Sequence, residues 1–410
     1  MTCSALMMKR SAMMKRSALF LALLPSVAMA QTSSVTDSMT HPSDWPAVLS
    51  QASGQTVYWN AWGGDDGINA YIDWVGDSVA DQFGIELVHV KLADTAAAVQ
   101  TIETEFAAGR HDAGGSIDLI WINGENFARL KRQGFLGDSF SESLPNYALT
   151  DFEDKAPIRQ DFSEPVEGLE SPWGLAQFTF LYDQDLLNTF PEDAAALLEW
   201  AEANPGRFAY PAPPAFVGTT FLKQLALELV DDPAALYAPA DQAPKGFLDP
   251  VWAYLDALHP VAWRQGQAFP ESHIDLRDLF NRDEIDIIMT FNPGDATSLV
   301  AQGILPDTIA TAGFAAGSVG NAHFVAIPGN SSARAASMVV ANFLLSPQAQ
   351  GRKADPSIWG DTTVLDLGKL TPDQRAFFPS AAPELGASVL EPHASWVNVL
   401  EADWAAKYAN

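Results

Sequence analysis

Four times along this chain an apolar strand breaks into a loop of glycine, asparagine or proline, and a helix follows. That recurrence constrains the fold more than any other feature. The first unit is Val57-Tyr58-Trp59-Asn60-Ala61-Trp62-Gly63-Gly64-Asp65-Asp66-Gly67. Residues 55–59 read as a short buried strand. Ile68, Ile72, Val75 and Val79 then recur at helical spacing, so a helix starts near Asp66. A strand that ends ahead of a helix aims backbone N–H groups at whatever sits above the loop. Gly63 and Gly64 carry no Cβ and let a ligand approach the backbone. Trp59 and Trp62 add flat faces for stacking or for holding a cation. A plainer alternative stands beside this one: a tight turn in which Asp65 or Asp66 caps the helix and both indoles fill the core.

The second unit runs from residues 116–122 through Asn123-Gly124-Glu125-Asn126 into a helix from Phe127. The third leads from residues 207–210 through a stiff proline loop to Thr219 or Thr220, which would cap a helix holding Phe221, Leu222, Leu225 and Leu229. The fourth runs from residues 285–290 through Phe291-Asn292-Pro293-Gly294-Asp295 into a helix from Ala296. In an open parallel sheet such loops collect at the carboxyl ends of the strands, where ligands bind. The chain has 410 residues, more than one ordinary core serves, so two α/β domains are expected. The first passage between them is placed at Ser171-Pro172-Trp173-Gly174, which leads into an apolar strand over 175–182. The expected division is 44–174 with 284–321 in lobe 1, and 175–283 with 322–410 in lobe 2.

The first thirty residues are an address. Lys9, Arg10, Lys15 and Arg16 precede a short apolar run, and Ala28-Met29-Ala30 is a small-x-small cleavage site. This is a secretory signal peptide, with residues 31–43 as a flexible leader. The hexapeptide MMKRSA occurs twice, at 7–12 and 13–18, a duplicated start region that leaves the initiating Met open. Cys3 is the one cysteine, so cleavage after Ala30 leaves a chain without thiols, suited to the bacterial periplasm. The formal charge is -28. Such a chain should avoid nucleic acid and anionic membranes. It mildly favours a cationic or neutral ligand, although acids also simply keep a surface soluble.

Several longer stretches carry a family resemblance: Trp59-Asn60-Ala61-Trp62-Gly63-Gly64-Asp65, Asn123-Gly124-Glu125-Asn126-Phe127, Glu170-Ser171-Pro172-Trp173-Gly174 and Phe291-Asn292-Pro293. Further on come Gly320-Asn321 with His323-Phe324-Val325, and the run from Val339 to Pro347. Asp355-Pro356 with Trp359-Gly360-Asp361, and Glu391-Pro392-His393 with Trp396-Val397-Asn398, complete the set. On these residues the chain resembles the periplasmic solute-binding proteins of ABC importers, type II fold, and within them the YnjB-type group. The resemblance implies two α/β lobes joined by a hinge, with a ligand cleft between them. It implies a monomer that captures a small solute and delivers it to permease subunits in the inner membrane. It implies no enzyme and no cofactor, and related importers carry thiamine, polyamines, iron or small anions. It also implies crossovers near 173–177, near 320–324 and close to the strand at Ile285.

Asn60, Trp62, Gly63, Gly64, Asn123, Glu125, Trp173, Gln177, Thr219, Asn292 and Asn321 all fall at strand ends or helix starts and are the candidate ligand-binding residues. Asn123, Asn292 and Asn321 have a second reading as residues that close turns, and Glu125 as a carboxylate matching a helix dipole. The aromatic loop and the acidity favour a cation such as thiamine or a polyamine, whereas glycine loops and helix starts also suit an oxyanion. A rival class is a secreted esterase using Ser139 in Gly137-Asp138-Ser139-Phe140, with Asp256 and His259 as its acid–base pair. Its context is wrong: residues 130–134 read as a helix end and not as a strand that delivers a nucleophile. The seven His are scattered, and His273 with Asp275 is too little for a closed metal site.

Overall fold

Two large hydrophobic cores, each built around its own sheet, organise the chain. This computed structural model describes residues 44–379 and 387–409, so the expected signal peptide and leader lie outside the described residues. Among these residues no helix is long and apolar enough to cross a membrane.

The first core begins with α1 (Trp45–Ala52), β1 (Thr56–Trp62), α2 (Asp66–Phe83), β2 (Glu86–Leu92), α3 (Ala96–Ala107), β3 (Leu119–Ile122) and α4 (Gly124–Gln133). β1 pairs parallel with β2 on one side and β3 on the other. These are the first two strand–loop–helix units of the sequence. A smaller hydrophobic cluster joins α3, β3 and α4. Asp65 caps α2, its carboxylate accepting from Ile68 N at 2.9 Å. Gly84 ends the same helix in the left-handed conformation, φ 68°. A short hairpin follows, β4 (Gln160–Asp161) and β5 (Glu164–Pro165), and then the long strand β6 (Glu170–Gln177).

One residue, Phe178, separates β6 from β7 (Thr179–Asp183), which starts the second sheet. The second core then takes in α5 (Ala194–Ala203), α6 (Phe216–Leu229), α7 (Asp249–Leu258), α8 (His273–Asn281), β8 (Ile287–Thr290), α9 (Asp295–Ala301) and β9 (Ile309–Ala312). Its sheet has β7 in the middle, antiparallel to β8 and β9. The chain returns through β10 (Ser318–Ala326), which lies antiparallel to both β6 and β3 in the first sheet. α10 (Arg334–Leu344), α11 (Pro347–Lys353) and α12 (Pro372–Arg375) follow. Most of the apolar side chains of α10 join the first core. β11 (Ser388–Leu390) pairs parallel with the start of β10, and α13 (Ser395–Tyr408) puts Trp396, Leu400 and Trp404 into the second core.

Two placements differ from the sequence reading. Residues 284–321 were expected in the first lobe, yet β8 is hydrogen-bonded to β7 and Ile285, Ile287 and Leu299 lie in the second core. Residues 322–410 were expected in the second lobe, yet Ala322 to Leu370 contribute to the first core, and it is α13, with Val389 ahead of it, that packs against the second. Strand pairing is a long-range choice. All four residues of β8 are buried, so its sequence has no polar face to say which sheet it joins. The chain therefore passes between the sheets at Phe178 and between β9 and β10, and leaves the first sheet once more after β11 for α13, and does not cross at Ile285. The third expected unit also shifts: α6 begins at Phe216, so Thr219 and Thr220 stand within its first turns and do not cap it.

Candidate functional site

The carboxyl end of β1 meets the start of α8, and the turn ahead of α9 meets Trp359 and Gly360 of the first lobe. Trp62, the last residue of β1, has its ring 5.8 Å from that of His273 at the start of α8. Gly63 and Gly64 follow. A Cβ on Gly64 would lie 2.4 Å from the Trp62 ring, so this turn requires glycine. Asn69 donates to Gly63 O at 3.0 Å and fixes the loop from below. Asn292 opens the β8–α9 turn. Its Nδ2 donates across to Trp359 O at 3.2 Å, and its Oδ1 accepts from Gly294 N at 2.9 Å. Here the lobes touch directly, for a Cβ on Gly294 would lie 2.2 Å from Gly360 O. Burial raises the Asp295 carboxyl to about 6, with the nearby Asp65 of the first lobe adding to the effect. Burial also lowers the His273 imidazole, and Arg277 works in the same direction.

A second group lies around the start of α4. Glu125, in the first turn of that helix, is held above the ordinary carboxylate range by burial and by Glu401 and Asp94, against the pull of Lys223. Glu401 stands on α13 in the other lobe. Thr219 Oγ1 donates to its Oε1 at 2.8 Å. Burial raises this carboxyl as well, and Asp94 adds to it. Two carboxylates from opposite lobes therefore come within electrostatic reach of each other. Phe216 begins α6 on the same helix as Thr219 and Lys223. It is 47% exposed, edge-on to Phe291 at 5.0 Å, and Lys223 Nζ lies 5.6 Å from its ring.

The remaining candidates are structural in this arrangement. Trp173 is a correction: it is fully buried, its ring 5.4 Å from Trp59, 4.9 Å from Trp121 and 5.4 Å from Trp359. Beneath this aromatic block, Lys353 and Asp361 form a buried ion pair at 2.5 Å, and His323 Nε2 lies 3.2 Å from the other Asp361 oxygen. Lys353 also donates to Trp173 O. Gln177 is buried at the first crossing, where its Nε2 donates to Ala387 O at 2.9 Å. Asn321 donates to Glu391 Oε1 at 3.1 Å, and Asn123 to Ala322 O at 2.5 Å. Asn60 is buried in β1 with its Oδ1 lacking a protein partner. Contacts between the lobes thus reach Trp62, through His273, and Asn292, through Trp359, and Thr219 holds Glu401, while Trp173, Gln177 and Asn321 are buried.

Asp94, Phe216, Lys223 and Glu401 escaped sequence reasoning. Lys223 carried a signal, as the lone base in the apolar run of α6. Glu401 carried none, because α13 reaches this place from the far end of the chain. Two hollows of about 620 and 520 Å³ lie elsewhere on the first lobe, one beside Asp73 and His89 and one beside Tyr58 and Asp118. The esterase constellation is not assembled. Ser139 sits in a first-lobe loop beside Gly168, whereas His259 is buried in the second lobe with Tyr210 Oη 2.8 Å from its Nε2, and Asp256 accepts from Tyr408 at 2.8 Å.

Known proteins agree with this architecture. The family described as bacterial extracellular solute-binding protein matches residues 74–366. Protein YnjB of Escherichia coli K12 is 49% identical over 371 residues, covering 90% of this chain and 95% of its own. Among solved structures, a protein described as an extracellular solute-binding protein from Bordetella parapertussis superposes with a TM-score of 0.64 at 15% identity, over 87% of this chain and 99% of that one. A periplasmic thiamin binding protein gives 0.59 at 15% identity, over 86% and 95%. At such identities the structures speak for the fold alone, the two-lobed type II architecture of ABC-importer binding proteins. The family and its relatives are binding proteins and not enzymes. The chain belongs to the bacterial extracellular solute-binding protein family.

Proposed function

We propose that the chain is exported to the periplasm behind a cleaved signal peptide, and that as a monomer it carries a small organic cation to the permease of an ABC importer. The feature that supports the choice of solute is the pair Glu125 and Glu401, one from each lobe, both held above the ordinary carboxylate range by burial and by Asp94 against the pull of Lys223. Like charges brought together in a partly dry gap repel, and a cation placed between them relieves that repulsion. Closing the lobes on a cation is then favourable, whereas closing them on an anion or on nothing is not. Trp62 and the exposed ring of Phe216 supply flat faces of the kind that hold an organic cation. Gly63, Gly64, Thr219 and Asn292 shape the walls. An oxyanion would suit the glycine loops and helix starts, but it would have to sit among these carboxylates. The thiamin binding protein among the fold relatives is compatible with a cationic solute and does not decide it.

Native mass spectrometry of the purified protein tests the reading, followed by thermal melts with thiamine, putrescine, phosphate and a dicarboxylate. A co-purifying cation, or stabilisation by a cationic solute alone, is the expected result. Stabilisation by the anions alone would overturn the assignment of the solute.

A further inference from the structure

A hairpin rooted in the first lobe grips the second. Ile158 and Val166, on either side of β4 and β5, lie in the first core, and Asp161 Oδ2 accepts from Gly124 N at 2.6 Å. The turn at its tip, Phe162–Ser163, has positive φ at both residues, 45° and 62°. Neither is glycine or asparagine, the residues that normally take this backbone, so the surroundings must hold it there.

Those surroundings belong to the segment that leads into α13. Ala394 N donates to Phe162 O at 3.1 Å, and Ser163 Oγ to Glu391 O at 2.7 Å. His393 Nε2 lies 3.5 Å from Glu164 Oε1. The Phe162 ring is packed with Ala128 of α4 and with Ala394 and Val397 of the α13 region. Lys223 Nζ, on α6, lies 4.1 Å from the centre of that ring and 2.5 Å from Glu391 Oε2. Glu391 Oε1 in turn accepts from Asn321 in β10, one of the strands that cross between the lobes. At the Trp62 edge no ion pair is seen among the described residues: Trp62 meets His273 ring to ring, 5.8 Å apart, and Asn292 Nδ2 donates a neutral hydrogen bond to Trp359 O at 3.2 Å.

We propose that the Phe162–Ser163 turn, with Glu391 and Lys223, is a side-chain-built continuation of the hinge. The lobes pivot about it and part at the Trp62–His273 edge. The inference rests on the two-lobed receptor reading but not on the identity of the solute. A buried ion pair with several directional bonds keeps its geometry only if the two sides do not separate, whereas a ring contact and one neutral, part-buried hydrogen bond are broken and remade at lower cost. The hinge then runs from the crossing strands through Glu391 to Phe162, and the cleft opens from one side.

Pulsed electron–electron resonance on dialysed protein, in a Cys3→Ser background, tests this with two label pairs. Asp66→Cys with Ile274→Cys spans the Trp62 edge, and Arg132→Cys with Ala402→Cys spans the hairpin edge. The expected result is a second, longer distance for the first pair and one narrow distance for the other. If the hairpin pair lengthens as much, the pivot is wrong while the two-lobed clamp stands. If neither pair moves, the clamp itself fails, and the pivot with it. Phe162→Ala should broaden the Arg132/Ala402 distance. Should that variant not fold, Ser163→Ala with His393→Gln removes two of the tip's contacts and should broaden it too. A distance that stays narrow in a folded variant overturns the role given to the turn.

Discussion

The Thr219 hydroxyl donates a hydrogen bond to Glu401 Oε1 at 2.8 Å, so a helix of the second lobe fixes the carboxylate that another helix of that lobe presents to the gap. Glu401→Gln keeps the shape and removes the charge. Binding of an organic cation by calorimetry should weaken roughly tenfold or more, the effect of losing one charge-assisted contact. Thr219→Val leaves the charge but frees its orientation, and should cost roughly two- to tenfold. Equal affinities in all three proteins would remove Glu401 from the site.

Two tryptophans should separate function from stability. Trp62→Ala is expected to weaken solute binding at least tenfold with little change in melting temperature, since Trp62 is half-buried at the end of β1. Trp173→Ala empties the middle of the aromatic block and should destabilise by about 3–5 kcal/mol. Denaturant unfolding beside a binding assay tells the two apart. A reversed pattern would return Trp173 to the cleft.

The Lys353–Asp361 pair should behave as a buried ion pair does. Burial lowers the lysine; it would raise the aspartate, but Lys353 and His323 carry that carboxyl below its ordinary range instead. Lys353→Met strands the aspartate and should cost about 3–5 kcal/mol in denaturant unfolding. Lys353→Met with Asp361→Leu should recover much of that loss. A double variant as unstable as the sum of its parts would contradict the pairing.

Asp295 gives a pH dependence with a definite sign. Its folded carboxyl titrates at about 6, against an ordinary value of 3.8. Between these values the folded form holds a proton that the unfolded chain has lost, so the contribution to stability is greatest at low pH and disappears as pH rises through about 6. Asp295→Asn cannot lose that proton. The melting temperature of the variant should therefore gain on the parent as pH is raised from about 4 to about 7, and then stay level. A gain confined to acid pH would refute the shift.

Much of this was readable in the residues alone. Alternating glycine loops and helix starts marked the carboxyl edge of the first sheet, and Asp65 caps α2 as one of two carboxylates expected to do so. The family was legible in motifs spread over the chain. What local pattern could not reveal was pairing. β8 is apolar on both faces and could have joined either sheet. Trp173 looked available because it stands at the expected passage between lobes, just ahead of the strand over 175–182, whereas only the packed structure shows three other indoles around it. Glu401 comes from the last helix, which no local spacing connects to Glu125.

The single residue between β6 and β7 limits how the molecule moves. A linker one residue long has no slack, so one lobe cannot slide along the other or draw away from it. Rotation about a few dihedral angles near Phe178 is the freedom left. A transporter that reads the separation of the two lobe tips would then be reading an angle, and a loaded carrier would differ from an empty one by a swing of fixed radius.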